Sequence, residues 1–194
     1  MSSFQGFEKR KADLIKEFSS ISGSISLGKS TSNLFRDRKG QSSKINVRNF
    51  NHVLSVDTKN MIADVEGMTT YEELVNETIK HGVMPTVVPQ LKSITIGGAL
   101  TGLGIESSSF KYGLVHETIT ETEILLGNGD IIICTPNNKH KDLFFGFPNS
   151  YATLGYVLRL KVKLVPIKKY VELTHLKFSS AKKYFEKVGK LCKN

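Results

Sequence analysis

The 194-residue chain contains no tryptophan, two cysteines and five prolines. Two cysteines, Cys134 and Cys192, are too few for a disulfide framework, so we expect a reduced intracellular protein. No apolar run approaches the ~20 residues that a membrane-spanning helix needs, and the first residues lack the apolar core of a secretory signal. From these absences we expect a cytoplasmic protein, soluble or peripheral to a membrane, with no transmembrane segment.

Acid–base pairs and clusters of metal ligands are also missing from the sequence. The five histidines stand apart, without the H-x-x-x-H spacing of metal sites, so no metal is predicted. His116 is either a structural histidine or one that faces a bound ring. Cys134 ends a predicted strand and is not expected to be catalytic. The sequence therefore assigns no catalytic residue.

The composition, 39% hydrophobic and 23% charged, is typical of a globular protein with a sizeable core. The net charge of +9 fits a solvated basic surface, an anionic cofactor, an anionic membrane surface or nucleic acid. The lysines are scattered and most frequent from Lys177 to Lys193. Aromatic and basic residues do not interleave as in RNA-binding domains, so no nucleic-acid partner is expected.

Two helices are predicted before the middle of the chain. The first spans residues 7–19, and its apolar face is predicted to hold Phe7, Leu14, Ile15 and Phe18. The second begins at a capping box, with Thr70 as N-cap and Glu73 three residues later, and ends before Gly82. Its buried stripe is predicted to be Leu74, Val75 and Ile79.

Strands and hairpins dominate the rest of the pattern. One short strand is predicted at 25–27. A first hairpin is predicted to pair 53–57 with 61–66 across a three-residue loop, and a second is predicted to pair 118–126 with 131–134. Asn128-Gly129 is the strongest short hairpin signal in the chain. Residues 156–165 alternate, which predicts a strand with a dry face and a wet face. The dry side chains are Leu158, Leu160, Val162 and Leu164, and the wet ones are Arg159, Lys161 and Lys163.

Short elements complete the pattern. Residues 84–88 are expected to be extended and 139–147 to form a short helix. Pro166–Lys169 reads as a boundary, followed by an alternating strand over 170–177 and a helix over 181–191.

The densest local signal lies in residues 89–113, where Gly97, Gly98, Gly102 and Gly104 fall within eight positions. We call its part from 95 to 113 the glycine segment. Glycine weakens helices and strands. So many glycines therefore predict that the backbone here comes very close to another group. The segment is either a turn-rich connector or a site whose free N–H groups and hydroxyls hold an anionic ligand. Its spacing matches neither the Rossmann fingerprint nor a P-loop.

The residues themselves resemble the flavin-binding segment of the delta-24 sterol reductases, members of the vanillyl-alcohol oxidase / p-cresol methylhydroxylase superfamily. The resemblance rests on Thr-Ile-Gly-Gly at 95–98 and Gly-Ile-Glu-Ser-Ser-Ser-Phe-Lys-Tyr-Gly-Leu at 104–114. It continues through Cys134-Thr135-Pro136, Thr153-Leu154-Gly155 and Pro166–Val171. It covers roughly residues 20–175.

The resemblance implies an α+β fold, a p-cresol-methylhydroxylase-type FAD-binding domain of two subdomains with FAD between them. It places an N-terminal helix at 1–19, the FAD-binding domain at 20–170 with subdomains at about 20–85 and 90–170, and the start of an incomplete substrate or cap domain at 171–194. Either the chain is a fragment, or the protein ends as a flavin domain with an added strand and helix.

The resemblance also implies which residues bind the cofactor. Residues 95–107 would wrap the FAD, and residues 153–157 would add backbone contacts. The loop after the first strand would hold the diphosphate of the FAD, unless that loop is a plain polar turn. The set is Thr95, Ile96, Gly97, Gly98, Ala99, Leu100, Thr101, Gly102, Leu103, Gly104, Ile105, Glu106 and Ser107, then Gly28, Lys29, Ser30 and Thr31, then Thr153, Gly155 and Val157. Glu106 would bond backbone N–H groups or ribose hydroxyls. The 28–33 loop has no His or Cys to tether a flavin, so noncovalent FAD is expected.

Three functions follow as hypotheses. The first is an FAD-dependent oxidoreductase that reduces a carbon–carbon double bond in a sterol-like lipid, with NADPH as electron donor. The second is a non-catalytic FAD-binding fragment, or a subunit that a partner chain completes. The third is a basic binder of nucleic acid or membrane, which predicts no flavin and steeply salt-dependent binding.

Overall fold

The computed structural model describes residues 3–29 and 43–193. Within them, the strands are β1 (Ile25–Leu27), β2 (Ser43–Ile45), β3 (Val53–Asp57), β4 (Ile62–Glu66), β5 (Val83–Pro85), β6 (Ile119–Leu125), β7 (Ile131–Cys134) and β8 (Tyr156–Pro166). The α-helices are α1 (Ser3–Ser19), α2 (Tyr71–Thr78), α3 (Ile96–Thr101), α4 (Ser109–Tyr112), α5 (Lys141–Gly146) and α6 (Ala181–Leu191). None of these helices is long and apolar enough to cross a bilayer.

An antiparallel sheet organises the chain around β8. Its order is β3-β4-β8-β6-β7, and β5 also pairs with β8. β1 and β2 form a separate parallel pair. The sheet runs across the predicted boundary between residues 20–85 and 90–170, because β4 and β5 pair with β8. The domain boundaries themselves stay a prediction.

Two apolar clusters hold the helices to the sheet. The first includes Tyr71 and Leu74 of α2 and Ile96 and Leu100 of α3. The second joins Phe7 and Leu14 of α1 to residues of β2, β3, β6 and β8, including Ile45, Leu54, Leu125 and Leu158. Each cluster therefore ties an early or glycine-rich helix to the central strand.

Both predicted hairpins and the capping box of α2 are confirmed. Gly82 ends the helical turn with φ +71°, the left-handed conformation that glycine favours. The first hairpin's connection has four residues, 58–61, rather than three, because Ile62 is the first residue paired with Asp57. The predicted apolar faces are wrong at Ile15 and Ile79, which are exposed.

The predicted wet face of β8 is wrong at Arg159, which is 8% exposed. Its guanidinium donates to Asp64, Glu121 and Glu123 at 2.6, 2.7 and 2.9 Å. Burial alone would lower the pKa of Arg159, but the hydrogen bond to Glu123 and the charge of Asp64 raise it above its ordinary value. Burial is tolerated because three carboxylates on neighbouring strands surround the cation.

The chain after β8 carries helix α6 as predicted, but residues 170–177 form no strand. Alternation alone does not make a strand, since ladder hydrogen bonds require a neighbouring edge. No residue from Ala181 to Leu191 is fully buried.

Candidate functional site

The glycine segment begins with a helix that was not predicted. Thr95 is the N-cap of α3, and its hydroxyl oxygen accepts a hydrogen bond from the Gly98 N–H at 3.2 Å. Ile96 and Leu100, four residues apart on one face, are buried in the first apolar cluster. A cap residue before an i, i+4 apolar pair is a helix-start signal, and it outweighs the two glycines between them.

The glycines do allow a close approach, as expected, but at Gly97 the approaching group is another part of the protein backbone. The Gly97 N–H donates to the Gly67 carbonyl at 3.0 Å, and a Cβ on Gly97 would lie 2.6 Å from that oxygen. A Cβ on Gly67 would lie 2.1 Å from the carbonyl oxygen of Val157. Three backbones therefore meet, and Val157 is brought beside the start of α3 as part of the packing.

The first turn of α3 offers no free donors, contrary to the expected free N–H groups. The N–H groups of Ile96 and Ala99 donate to the carbonyls of Thr69 and Thr95, each at 2.9 Å. Those of Gly97 and Gly98 are also taken, as described above. Gly98 nevertheless has exposed backbone. This end of α3 therefore offers a ligand a surface without side chains, but no cluster of free N–H groups that could bind an anion.

Free donors occur further along the segment. Among the described residues, the N–H groups of Ile105 and Ser107 have no hydrogen-bond acceptor, whereas that of Glu106 between them donates to Ser109 Oγ at 3.0 Å. Ile105 and Ser107 are both exposed. Leu103, at the preceding turn, has φ +54°, a conformation that costs a non-glycine residue energy. These residues can donate to an acceptor-rich ligand.

Tyr71 joins the site although sequence reasoning missed it. Its backbone N–H donates to the Ile94 carbonyl at 2.9 Å, next to the N-cap of α3. The ring is 1% exposed, and its hydroxyl has no partner among the described residues. Burial, with a smaller contribution from the negative charge of Glu106, raises the pKa of Tyr71 above its ordinary value. Its neutral hydroxyl is therefore an unpaired donor near the glycine segment. The sequence showed Tyr71 only as the first residue after the Thr70 N-cap, which gives no sign of where its hydroxyl lies.

The loop before β8 reaches the C-terminal end of α3. The Tyr151 N–H donates to the Thr101 carbonyl at 3.1 Å. Asn149, Tyr151 and Ala152 all have positive φ, and clusters of such residues often mark functional sites. Gly155 has φ +153°, and a Cβ there would lie 2.7 Å from the Leu125 carbonyl oxygen. Tyr151 therefore lies next to the end of α3, whereas Gly155 packs against β6, and the cofactor roles of Thr153 and Gly155 stay a prediction.

The predicted diphosphate loop is only partly described. Gly28 donates its N–H to the Ile45 carbonyl at 2.7 Å, and its own carbonyl accepts from Arg48 Nε at 3.1 Å. Lys29 follows with intermediate exposure. Ser30 and Thr31 lie outside the described residues. These contacts tie Gly28 to β2 rather than to α3, so its place in a shared site stays a prediction.

A cleft of about 420 Å³ opens beside α3. Its walls include Leu100 of α3, the phenylalanines Phe144 and Phe145, and His116. The His116 Nδ1 is buried without a partner in the described part of the chain. In that part, no three His, Cys, Asp or Glu residues are placed to hold a metal ion. His116 therefore faces a cavity, and neither the ring-facing nor the structural role predicted for it is decided.

The comparisons with known proteins agree on a family. The family described as "FAD binding domain" matches residues 23–135. A Delta(24)-sterol reductase of Pisum sativum is 37% identical over 132 residues, which cover 68% of this chain and 23% of the relative. The Delta(24)-sterol reductase of Homo sapiens is 39% identical over 125 residues, covering 64% of this chain and 24% of the relative. This chain thus spans about a quarter of the length of these curated relatives.

A solved structure supports the fold. The 6-hydroxy-D-nicotine oxidase of Arthrobacter nicotinovorans superposes with a TM-score of 0.66 at 21% identity, covering 80% of this chain and 35% of that one. The likeness confirms the predicted α+β fold class, with the fold of part of that oxidase.

Proposed function

Because this chain belongs to the FAD binding domain family, we propose that its glycine segment holds FAD and that the protein acts as an FAD-dependent oxidoreductase. The observation that carries the proposal is the extent of the family match. Residues 23–135 include α3, the exposed donors that follow it and the predicted Gly28 loop.

The described residues fit such a cofactor. Flavin dinucleotides present many hydrogen-bond acceptors, and the N–H groups of Ile105 and Ser107 and the hydroxyl of Tyr71 are donors without protein acceptors in the described chain. Gly98, in the same segment as Ile105 and Ser107, leaves its backbone exposed. FAD, when bound, supplies the hydride chemistry. The residues of this chain bind and orient it, which is why no acid–base pair is needed among them.

The full predicted set, Thr95–Ser107 with Gly28–Thr31, Thr153, Gly155 and Val157, is proposed as the cofactor site. The binding is proposed to be noncovalent, because the 28–33 loop carries no His or Cys. The proposed division of the chain remains a helix at 1–19, the FAD-binding domain at 20–170 and the start of a cap domain at 171–194.

The reaction we propose is reduction of a carbon–carbon double bond in a sterol-like lipid, with NADPH as electron donor and the cytoplasm as the compartment. Support comes from the two Delta(24)-sterol reductases, at 37% and 39% identity, and from the Gly-Ile-Glu-Ser-Ser-Ser run at 104–109.

A second candidate is a non-catalytic flavin-binding piece or a subunit that a partner completes. The specific observation in its favour is coverage, since the chain matches 23% and 24% of those relatives. Residues that cover a substrate would then have to come from elsewhere.

One experiment separates the two candidates. The chain is loaded with FAD, and NADPH oxidation is followed without oxygen in the presence of a sterol with an isolated side-chain double bond. The saturated sterol is the control. NADPH consumption that requires the unsaturated sterol supports the reductase. Bound FAD with no NADPH consumption supports the flavin-binding piece, and failure to take up FAD overturns both.

A further inference from the structure

Helix α1 is bound to the central sheet by charge as well as by its apolar side chains. Phe7 and Leu14 pack in the second apolar cluster. Arg10 and Lys11, next to each other on the helix, form ion pairs with Glu66 of β4 and Glu123 of β6. The helix is therefore fixed to two different strands by two adjacent cations.

Glu66 holds the more deeply buried of these two ion pairs. Its side chain is 0% exposed, and its Oε1 accepts from Arg10 Nε and Nη2 at 3.0 and 2.5 Å. Its Oε2 accepts from the His52 N–H at 2.9 Å and lies 2.7 Å from His52 Nδ1. A carboxylate this buried needs partners that replace water, and Arg10 is a partner that keeps its charge at every ordinary pH.

The turn that follows Glu66, residues 66–69, carries the start of α3. The Gly97 N–H donates to the Gly67 carbonyl at 3.0 Å, and the Ile96 N–H donates to the Thr69 carbonyl at 2.9 Å. The Thr69 N–H in turn donates to the Glu66 carbonyl at 3.0 Å. The first two N–H groups of α3 therefore end on a turn whose first side chain is held by α1.

This turn is packed too closely to absorb a shift of Glu66. The Gly67 N–H donates to the Leu158 carbonyl at 2.9 Å, and the Met68 N–H donates to the Phe50 carbonyl at 2.8 Å. A Cβ on Gly67 would lie 2.1 Å from the carbonyl oxygen of Val157. Because close-packed interiors transmit strain, a movement of Glu66 towards water would displace Gly67 and, with it, α3.

We propose that Arg10 is a positioning residue for the cofactor site. Through Glu66 it fixes the 66–69 turn, and the turn fixes α3 and the glycine segment in the arrangement that binds FAD. The inference rests on the proposed function for its ligand. It extends that function to α1, which precedes the residues 23–135 that match the family.

The neighbouring ion pair provides a matched control. Lys11 Nζ lies 2.8 Å from Glu123 Oε1, and the side chains of Lys11 and Arg10 are 19% and 22% exposed. Glu123 lies on β6 and also pairs with Arg159, so it keeps a cation when Lys11 is replaced. Loss of either cation weakens the docking of α1, but only Arg10 is linked to the 66–69 turn.

Hydrogen exchange in the full 194-residue chain without cofactor tests the positioning. The readout is the exchange rate of the Gly97 amide divided by that of the Phe147 amide, which donates to the Leu143 carbonyl at 2.9 Å in α5, so that a general loss of stability cancels. We expect this ratio to rise at least about tenfold in Arg10→Met and to stay constant in Lys11→Met. An unchanged ratio in Arg10→Met, or an equal rise in both variants, would overturn the proposal.

Conservative variants at the same position separate charge from packing. Arg10→Lys keeps the cation and should hold the exchange ratio within about twofold of that of the unaltered chain. If Arg10→Met does not fold, Arg10→Gln, which keeps a donor but no charge, takes its place with the same expected direction. A ratio that rises as much in Arg10→Lys as in the uncharged variant would contradict the role of the ion pair.

Titration of FAD fluorescence quenching then links the positioning to the cofactor. Arg10→Met should weaken FAD binding by about fivefold, whereas Arg10→Lys and Lys11→Met should stay within about twofold of the unaltered chain. A faster Gly97 exchange with unchanged FAD affinity would overturn the proposal. Failure of the unaltered chain to bind FAD would overturn the proposed function, and the FAD role of Arg10 with it, while the exchange ratio would still decide whether Arg10 holds α3.

Discussion

The backbone of Gly97 lies against that of Gly67, with the N–H of the first donating to the carbonyl of the second at 3.0 Å. Since Gly67 in turn meets the carbonyl of Val157, the start of α3 is locked to β8 through backbone alone. The rest of the glycine segment projects from this lock. Its position therefore depends on glycine at both Gly67 and Gly97.

Replacing Gly97 with alanine should destabilise the fold. The new Cβ would lie 2.6 Å from a carbonyl oxygen, and backbone cannot move aside cheaply, so we expect a loss of about 1–3 kcal/mol in the free energy of unfolding. Urea denaturation measures it. Gly146→Ala is the control, because it is also helical but has nothing within 4 Å of the added Cβ. An equal loss at both positions would refute the backbone lock.

Local signals were enough for the hairpins, the α2 capping box and the helix over residues 181–191, because turns, caps and amphipathic spacing act within a few residues. Arg159 could not be predicted, since the carboxylates that allow its burial lie up to 95 positions away in sequence. The strand predicted over 170–177 was wrong because the alternating pattern is local, whereas a strand also needs a partner strand, and none lies beside these residues in the described structure. Helix α3 was not predicted because Gly97 and Gly98 disfavour a helix, although Thr95 before them is a typical N-cap.

Ile105 provides a test of the cofactor site that leaves the core alone. It is 70% exposed, and its N–H lacks an acceptor among the described residues. Ile105→Ser keeps that N–H and removes the apolar side chain beside it. The loss of packing on the cofactor should weaken FAD binding by about fivefold, roughly 1 kcal/mol, when FAD fluorescence quenching is titrated. Leu91→Ser, at 63% exposure, should leave FAD affinity unchanged. Equal FAD affinities of the two variants would contradict the placement of the cofactor site at Ile105.

Arg159 should matter for stability far more than other basic residues of its strand. Arg159→Met would remove the cation that Asp64, Glu121 and Glu123 share. Lys161 and Lys11 would still pair with Glu121 and Glu123, but Asp64 would lose its ion pair, and a lost partner in a buried ion cluster costs about 3–5 kcal/mol. Lys163→Met on the same strand, where the lysine is exposed, should change stability by no more than about 0.5 kcal/mol. Thermal unfolding of both variants checks this, and a mild effect at Arg159 would argue against the cluster.

Glu121 should make stability depend on acidity. Burial tends to raise its pKa, but hydrogen bonds from Lys161 and Arg159 outweigh burial and lower it below the ordinary 4.5. The folded state thus releases this proton more readily than the unfolded state. The resulting stabilisation is fully present above pH 4.5 and disappears as the pH falls through the lowered folded pKa.

Glu121→Gln should therefore cost about 1 kcal/mol at neutral pH, a modest value because the carboxylate is partly solvated, and progressively less in acid. Urea unfolding across this pH range measures the difference, with the exposed Glu172→Gln as control. A cost for Glu121→Gln that stays constant or grows on acidification would contradict the assignment.

The visible spectrum of the purified chain, before and after acid precipitation, tests the central claim most directly. The account predicts a flavin band near ~450 nm, either as purified or after adding FAD and removing the excess, and release of the colour to the supernatant by acid. A chain that stays colourless after incubation with FAD would contradict it. Colour that remains in the pellet would contradict the noncovalent attachment.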